Sequence, residues 1–192
     1  MPVISAPDLT GFAEQILLAA ATPAHKASIA AASLVASNLR GKDSHGIQLL
    51  PFYIDQILAG EMDTHADGRV ISESGSCLHF DGQNGLGQWI ADTCCRHAVR
   101  IAGQQGMAMV VARDSNHFGA AAWWAQKIRA AGQIGIVMCN ASPLVPPWPE
   151  SVVAGFALDD GQRAVVLPAG AHLGFGTRAG DDVYLAPFEE DD

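Results

Sequence analysis

The sequence has few of the features that mark membrane proteins and nucleic-acid-binding proteins. No apolar run approaches the ~18 residues that a membrane-spanning helix needs. Its 11 Lys and Arg residues are scattered, and the formal net charge is −9. A phosphate backbone is bound by a basic surface, which this composition does not provide. We therefore expect neither a membrane nor a nucleic acid as a partner.

Cysteine and targeting signals are also scarce. The 4 cysteines form no C-x-x-C pair, and free buried thiols are typical of a reducing compartment. Cys77 and His79 would share one strand face, but two ligands do not make a zinc site, so no metal is expected. The first residues, MPVISAPDLTGF, lack the basic region and apolar core of a secretory signal. These features predict a cytoplasmic protein.

The residues that are present indicate a globular α/β chain. Of 192 residues, 49% are hydrophobic and 16% are charged, which suffices for one core. Apolar periodicity predicts a first helix capped by Asp8 and a second one with Thr22 as N-cap and Pro23 at its first position. The same patterns predict helices over about 23–39, 51–59 and 87–103, and strands near 69–73 and 77–81.

Residues 106–148 read as a strand, loop, helix and strand in succession. The run Met107 to Ala112 predicts a buried strand, and Ile134 to Cys139 predicts a second one. Between them, helical spacing places Ala122, Trp123, Ala125, Ile128 and Ala131 near one face. His117 stands where the first strand ends and the helix approaches, so it either closes a turn or acts on a ligand near neutral pH.

Gly85-x-Gly87 precedes the helix predicted over 87–103 and allows two interpretations. A dinucleotide-binding loop has a third glycine and an acidic residue after the next strand, and neither is suitably placed here. We favour the alternative, a tight turn that packs the helix onto the sheet.

Two separated segments resemble one enzyme family. The first is RGKDSHGIQLLPFYIDQILAG at residues 40–60, and the second is SNHFG at 115–119 followed by IGIVMCNASPLVPPW at 134–148. Both are similar, in the same order, to segments of the malate/L-lactate dehydrogenase type 2 family, which includes sulfolactate, ureidoglycolate and diketogulonate dehydrogenases. The resemblance extends from about residue 6 to residue 148.

For the fold, this resemblance implies an N-terminal helical segment followed by a non-Rossmann α/β domain with a mixed sheet. We expect the helical segment at 1–62, the α/β core of the cofactor and substrate domain at 63–148, and a shortened, divergent segment at 149–192. The family's G-T-N-P element has no counterpart, and residues 167–176 match a later family segment with Leu173 where Lys is usual. The C-terminal third therefore resembles that of a truncated or internally deleted member.

For function, the resemblance implies an NAD- or NADP-dependent oxidoreductase that interconverts a small 2-hydroxy acid and a 2-keto acid. His45 matches the family's proton donor, and His117 would share that role or polarise the carbonyl. The remaining expected site residues are Ser44, Gln48, Tyr53 and Asn116 for the substrate, and Asn140, Ser142 and His172 for the cofactor. We also expect a homodimer, with Trp123 or Trp124 at the subunit interface.

One departure concerns the substrate carboxylate. Many family members have an Arg shortly after S-H-G, where this chain has Ile47 to Leu50. Either Ser44, Gln48 and backbone N–H groups bind the carboxylate, or the substrate differs. The alternative function is a catalytically inactive truncated family member that retains at most small-carboxylate binding. A metal hydrolase built from the 7 histidines is disfavoured, because no pair has the i, i+4 spacing of the common zinc motif.

Overall fold

The computed structural model describes residues 3–140, 152–157 and 164–167. The chain divides into two compact units, Met1–Ala120 and Ala121–Asp192. Within the described ranges, no helix has both the length and the hydropathy to span a bilayer. The mixture of helices with a small mixed sheet agrees with the predicted fold class.

The first unit opens with a helical layer. Helices α1 (Ala6–Ala19) and α2 (Ala24–Leu39) pack together. Two 3-10 turns, Asp43–His45 and Ile47–Leu49, lead into helix α3 (Leu50–Leu58). Pro51 lies in the first turn of α3, as predicted, where its missing N–H leaves no bond broken. The core of this layer consists of Ala13, Leu17, Ala27, Ala30, Ala31, Leu34, Leu50, Tyr53, Met62 and Leu86.

The predicted caps of α1 and α2 were wrong. Ser5 caps α1: its hydroxyl accepts a hydrogen bond from the Asp8 backbone N–H at 3.2 Å and donates to the Asp8 carboxylate at 2.6 Å. Asp8 thus occupies the acidic position of the first turn, which favours a carboxylate at the positive end of the helix dipole. Pro23, not Thr22, occupies the N-cap of α2, because the Thr22 side chain turns inward and is only 3% exposed.

A buried lysine attaches α2 to the loop that precedes the sheet. Lys26 is 1% exposed, and its ammonium group donates to the backbone oxygens of His65 at 3.0 Å and Ala66 at 2.8 Å. It also forms an ion pair with Asp67 at 2.9 Å and lies 5.3 Å from the centre of the Trp89 ring. Three oxygens thus replace the water that this buried charge loses.

The sheet of the first unit contains strands β1 (Arg69–Ser74), β2 (Cys77–Gly85) and β3 (Met109–Ser115). β1 and β2 pair in antiparallel orientation. β2 and β3 pair in parallel orientation, and helix α4 (Gly87–Gln105) connects these two strands in the sequence. Leu78 and Phe80 of β2 pack with Ile90 and Ile101 of α4 in a second core cluster.

The predicted burial of β3 was wrong, and its limits differ from the run that was expected. The strand lies at the edge of the sheet, and only Val110 among its residues is half-buried, packed against the α4 cluster. Met109 and Val111, which alternate with Val110, are 58% and 44% exposed. An apolar run cannot distinguish a central strand from an edge strand, because strand order depends on distant segments.

The second unit contains helix α5 (Ala121–Ala130) and the antiparallel strands β4 (Gly135–Asn140), β5 (Val152–Ala157) and β6 (Ala164–Leu167) in that order. The buried face of α5 is formed by Ala121, Trp124, Ala125 and Ile128. Trp124 is fully buried, whereas Trp123 is only partly so, which corrects the predicted helix face. The offsets of three, four and seven residues among these positions define one helical stripe.

Candidate active site

Three segments that are far apart in the sequence meet in the first unit. The turn Asp43–His45 carries Ser44 and His45, α3 carries Tyr53, and the loop after β3 carries Asn116 and His117. The ring centres of His45 and His117 are 5.8 Å apart with 33° between the planes. Both residues are partly exposed to solvent, so a ligand can reach the pair.

Asn38, near the end of α2, holds the turn that carries His45. Its amide nitrogen donates to the Asp43 carboxylate at 2.6 Å, and its amide oxygen accepts from the Ile47 backbone N–H at 2.8 Å. A side chain at Gly46 would collide with this amide, because a Cβ there would lie 2.4 Å from Asn38 Oδ1. Asn38 therefore bonds to the residues on both sides of the S-H-G segment, Asp43 and Ile47. Nothing in the sequence indicated this role.

Contacts with α4 and the end of β2 fix the loop that carries His117. The Asn116 amide nitrogen donates to the backbone oxygens of Asn84 at 2.9 Å and Gly85 at 3.0 Å. A Cβ on Gly87 would lie 2.2 Å from the His117 backbone oxygen and 2.3 Å from that of Asn116. Gly87 is thus required for the close approach of two chain segments, which matches the tight-turn interpretation of Gly85-x-Gly87.

Tyr53 contacts the His117 ring through its hydroxyl group. Its side chain is fully buried, and its hydroxyl lies 2.7 Å from His117 Nδ1. The Gly119 backbone N–H points at the same nitrogen with an N···N distance of 3.4 Å. Tyr53 was expected to position the substrate, but the hydroxyl contact made by this residue is with His117.

Both histidines are shifted toward their neutral forms. Partial burial lowers the pKa of His45 below its ordinary value of 6.5. Burial also lowers the pKa of His117, and the nearby charge of His45 lowers it further. The Ser44 hydroxyl lies 3.0 Å from His45 Nδ1, and Nε2 of His45 makes no hydrogen bond within the described residues. That nitrogen is free to exchange a proton with a ligand.

The other predicted site residues stay predictions. Gln48 is exposed in the second 3-10 turn. Asn140 ends β4, where only its backbone is described, and Ser142 and His172 lie outside the described residues. Within those limits no group of three His, Cys, Asp or Glu side chains could hold a metal ion.

A second residue that sequence reasoning missed is Gln88 in the first turn of α4. Its side chain is fully buried, and neither amide atom makes a well-aligned hydrogen bond among the described residues. It lies near enough to the Tyr53 phenol to affect its pKa. A polar residue at a helix start looks like a surface position, so the sequence offered no signal for this burial.

The region of the chain that matches known proteins includes both His45 and His117. Residues 4–152 match the model of the malate/L-lactate dehydrogenase family. The malate dehydrogenase of Pyrococcus horikoshii is 40% identical over 139 residues, which is 72% of this chain and 39% of that protein. Hydroxycarboxylate dehydrogenase B of Escherichia coli K12 is 30% identical over 142 residues, which is 73% of this chain and 39% of that one.

Solved structures give the same result for the fold. The P. horikoshii malate dehydrogenase structure superimposes with a TM-score of 0.79 at 33% identity, covering 86% of this chain and 49% of that chain. The Entamoeba histolytica malate dehydrogenase structure has a TM-score of 0.75 at 30% identity, covering 87% and 47%. The chain spans 39% of the length of the P. horikoshii relative in the sequence comparison.

Proposed function

The chain belongs to the malate/L-lactate dehydrogenase family, and on that premise we propose that it interconverts a small 2-hydroxy acid and the corresponding 2-keto acid by NAD(P)-dependent hydride transfer. The observation that carries the proposal is the accessible pair of His45 and His117, with ring centres 5.8 Å apart. Two imidazoles this close can both approach one substrate oxygen that lies beside them, which is what proton transfer to a carbonyl oxygen requires.

The chemistry that the protein must supply is proton transfer. Reduction of a keto group requires a proton at the oxygen, and oxidation of the alcohol requires its removal. We assign this transfer to Nε2 of His45. Because the pKa of His45 is lowered below 6.5, the base form dominates at neutral pH and oxidation can start there. Reduction needs the acid form and should therefore become faster as the pH falls toward that pKa.

The nicotinamide ring would supply or accept the hydride when bound. Gly85 and Gly87 do not form a cradle for its phosphates, because backbone oxygens fill the space beside both glycines. We propose Asn140, Ser142 and His172 as cofactor contacts, from the family resemblance alone. The roles derived from the described residues are limited to handling the proton and orienting the substrate.

The substrate carboxylate would be bound without the family's arginine. Ser44 and Gln48 are polar, exposed and placed on either side of the Gly46 turn next to His45. We propose that they and the backbone N–H groups of this turn bind the carboxylate. Such neutral donors form weaker bonds than a bidentate guanidinium, so we expect a KM above that of relatives that have the arginine.

The test is a reaction of the full chain with NADH or NADPH and a panel of small 2-keto acids, followed by nucleotide absorbance. Replacing His45 by Ala should lower kcat by about 100-fold or more, the usual loss for acid–base help. His79→Ala is the matched control, since His79 is an exposed histidine on β2 outside the cluster. Equal turnover in His45→Ala and wild type would exclude His45 from proton transfer.

A second candidate is a catalytically inactive family member that binds only small carboxylates. The observation that favours it is the coverage of 39% of the P. horikoshii relative. Titration of the chain with NADH and NADPH, followed by nucleotide fluorescence, distinguishes the two functions. A Kd of about 1 mM corresponds to a binding free energy of only roughly 4 kcal/mol. Failure to bind either nucleotide at that concentration would favour the inactive family member. We further propose a homodimer, which light scattering on the purified chain tests, and a cytoplasmic location, which cell fractionation tests.

A further inference from the structure

A surface cavity on helix α4 is formed by none of the residues of the candidate active site. It measures about 190 Å³ and is lined by Thr93, Arg96, His97 and Arg100. Offsets of three, four and seven residues place these side chains on one face of the helix. All four carry hydrogen-bond donors, and none is a carboxylate. In a chain with a formal net charge of −9, this lining indicates an anionic ligand.

Ion pairs hold both guanidinium groups of the cavity in place. Nε of Arg96 lies 3.2 Å from the Asp92 carboxylate, and Nη2 donates to the Thr93 hydroxyl oxygen at 2.8 Å. The two terminal nitrogens of Arg100 donate to the two carboxylate oxygens of Glu73 on β1, at 3.0 and 2.5 Å. Because these contacts already restrict both long side chains, an anion that binds beside them removes little further rotamer entropy.

Three donor groups of the cavity are left over after these contacts. Among the described residues, Arg96 Nη1 and Arg100 Nε make no hydrogen bond. The Thr93 oxygen accepts from Arg96, so the hydroxyl hydrogen can be donated to a ligand. Asp92 and Glu73 balance the two positive charges, so directed N–H and O–H groups, and not net charge, select the ligand. A group with several acceptor oxygens can satisfy all of these donors.

His97 adds a titratable group to the cavity. Its ring packs on Phe80 of β2 with ring centres 5.7 Å apart, and its Nδ1 lies 3.5 Å from Nη2 of Arg100. The charged groups that face the ring are Arg96 and Arg100 from α4 and Glu73 from β1. Partial burial lowers the pKa of His97, and the two arginines lower it further, against an opposing effect of Glu73. A bound dianion would reverse part of this shift, so its binding should be coupled to proton uptake.

We propose that the cavity on α4 binds a phosphate group, as inorganic phosphate or as part of a phosphomonoester, and that His97 takes up a proton when it binds. A carboxylate has two oxygens in one plane, which one guanidinium satisfies, whereas four separate side chains supply the donors here. A phosphate group offers three acceptor oxygens and a charge of about −1.5 to −2 at neutral pH. The site is independent of the proposed dehydrogenase function, because neither His45 nor His117 lines it.

The experiment is a calorimetric titration of the full chain at constant ionic strength. The first probe is sulfate, a tetrahedral dianion that does not titrate near neutral pH. We expect sulfate to bind severalfold more tightly at about pH 6 than at about pH 8. The reason is that the contribution of protonated His97 is fully present below the pKa of the free chain and is lost as the pH rises through the pKa of the complex. A constant sulfate affinity across this range would overturn the proposal.

Inorganic phosphate and phenyl phosphate are the second and third probes, at about pH 8, where both are dianions. An affinity for phenyl phosphate within about tenfold of that for inorganic phosphate identifies a phosphomonoester as the ligand class, because the cavity then accepts a substituent. A larger preference for inorganic phosphate identifies the free ion. Absence of binding of all three probes at about 10 mM would overturn the proposal, since even weak specific binding is measurable in that range.

Arg100→Gln and Arg113→Gln separate the cavity from the general charge of the chain. Both variants remove the positive charge of an exposed, ion-paired arginine, but Arg113 lies on β3 and does not line the cavity. Arg100→Gln should weaken sulfate binding by about tenfold or more, the loss expected for a hydrogen bond to a charged group. Arg113→Gln should leave sulfate binding unchanged. Equal weakening in the two variants is the result that would refute a site at the cavity.

His97→Gln tests the coupling to proton uptake. This variant keeps a neutral donor at the cavity but cannot titrate, so its sulfate affinity should not depend on pH between about 6 and 8. A pH dependence that persists in His97→Gln would belong to other histidines and would overturn the proposal. The titrations require no turnover. Failure of nucleotide binding would therefore contradict only the proposed dehydrogenase function, and failure of sulfate and phosphate binding would contradict only the site on α4.

Discussion

Replacing Gly87 by Ala should move the loop that carries His117. The new Cβ would lie 2.2 Å from the His117 backbone oxygen, whereas ordinary van der Waals contact begins at 3.4 Å. The loop or the start of α4 must therefore move by about 1.2 Å, the difference between these two distances. Neither side yields easily, because the obstacles are backbone atoms, and the Asn116 amide holds the loop to Asn84 and Gly85.

This movement has two measurable consequences. Overpacking of this kind costs about 1–3 kcal/mol, which should appear as a lower midpoint of urea unfolding. A displacement of about 1 Å at a catalytic group lowers turnover by about 100-fold, so we expect a loss of that order in kcat. The nitrogen signals of the His117 ring should also shift, because the hydrogen bond between Tyr53 and His117 depends on the position of the loop.

The matched control is Gly11→Ala. Gly11 lies inside α1, and nothing approaches a Cβ there within 4 Å. Alanine in a helix interior is favoured over glycine by roughly 0.5–1 kcal/mol, so this variant should be slightly stabilised with normal turnover. The reasoning about Gly87 would be refuted if Gly87→Ala matched the wild type in both unfolding midpoint and His117 ring signals.

Three further predictions concern other contacts. Asn38→Ala should lower kcat and destabilise the chain by about 1–2 kcal/mol, since it removes two hydrogen bonds. Asn38→Asp should restore only the bond to Ile47. Equal kinetics of Asn38→Ala and wild type would contradict the role of Asn38 in holding the S-H-G turn. Lys26→Met keeps the apolar stem but leaves two backbone oxygens without their donor. The free energy of unfolding should therefore fall by about 2–4 kcal/mol. An unchanged midpoint of urea unfolding would contradict this prediction. The Gln83 backbone N–H, followed by the Arg69 hydrogen bond, lowers the pKa of Asp81 below its ordinary value of 3.8. This contribution to stability is present above that value and is lost as the pH falls through the lowered pKa, so Asp81→Asn should flatten the acid side of a stability profile measured by urea unfolding.

Residues 40–60 show how much of the site the sequence could predict. The S-H-G string and its family resemblance predicted Ser44 and His45 as site residues, which stays a prediction, and Pro51 placed the start of α3 within one turn. The resemblance could not identify Asn38, because a polar residue near a helix end is commonplace and its role depends on a turn that folds back onto it. The contact of Tyr53 with His117 was likewise not predictable, since it arises only after folding.

The helix α5 and the strand β3 show the same limit for the fold. Apolar spacing predicted both elements, because helix and strand periodicities are local properties of the chain. Which tryptophan of α5 is buried and which side of β3 is covered depend on neighbouring elements. Local patterns were therefore sufficient for the existence and type of these elements and insufficient for their surroundings.

The sequence by itself determined the chemical groups, the order of helices and strands up to β4 and the family, because each is encoded in residues that are adjacent or regularly spaced. The tertiary structure alone decided that His45 and His117 lie 5.8 Å apart and that Nδ1 of His117 lies 2.7 Å from the Tyr53 hydroxyl. The physical reason is that hydrogen-bond geometry and ring proximity depend on the packing of α3, the S-H-G turn and the loop after β3 onto one another. These segments are far apart along the chain, and no local sequence pattern indicates that they contact one another.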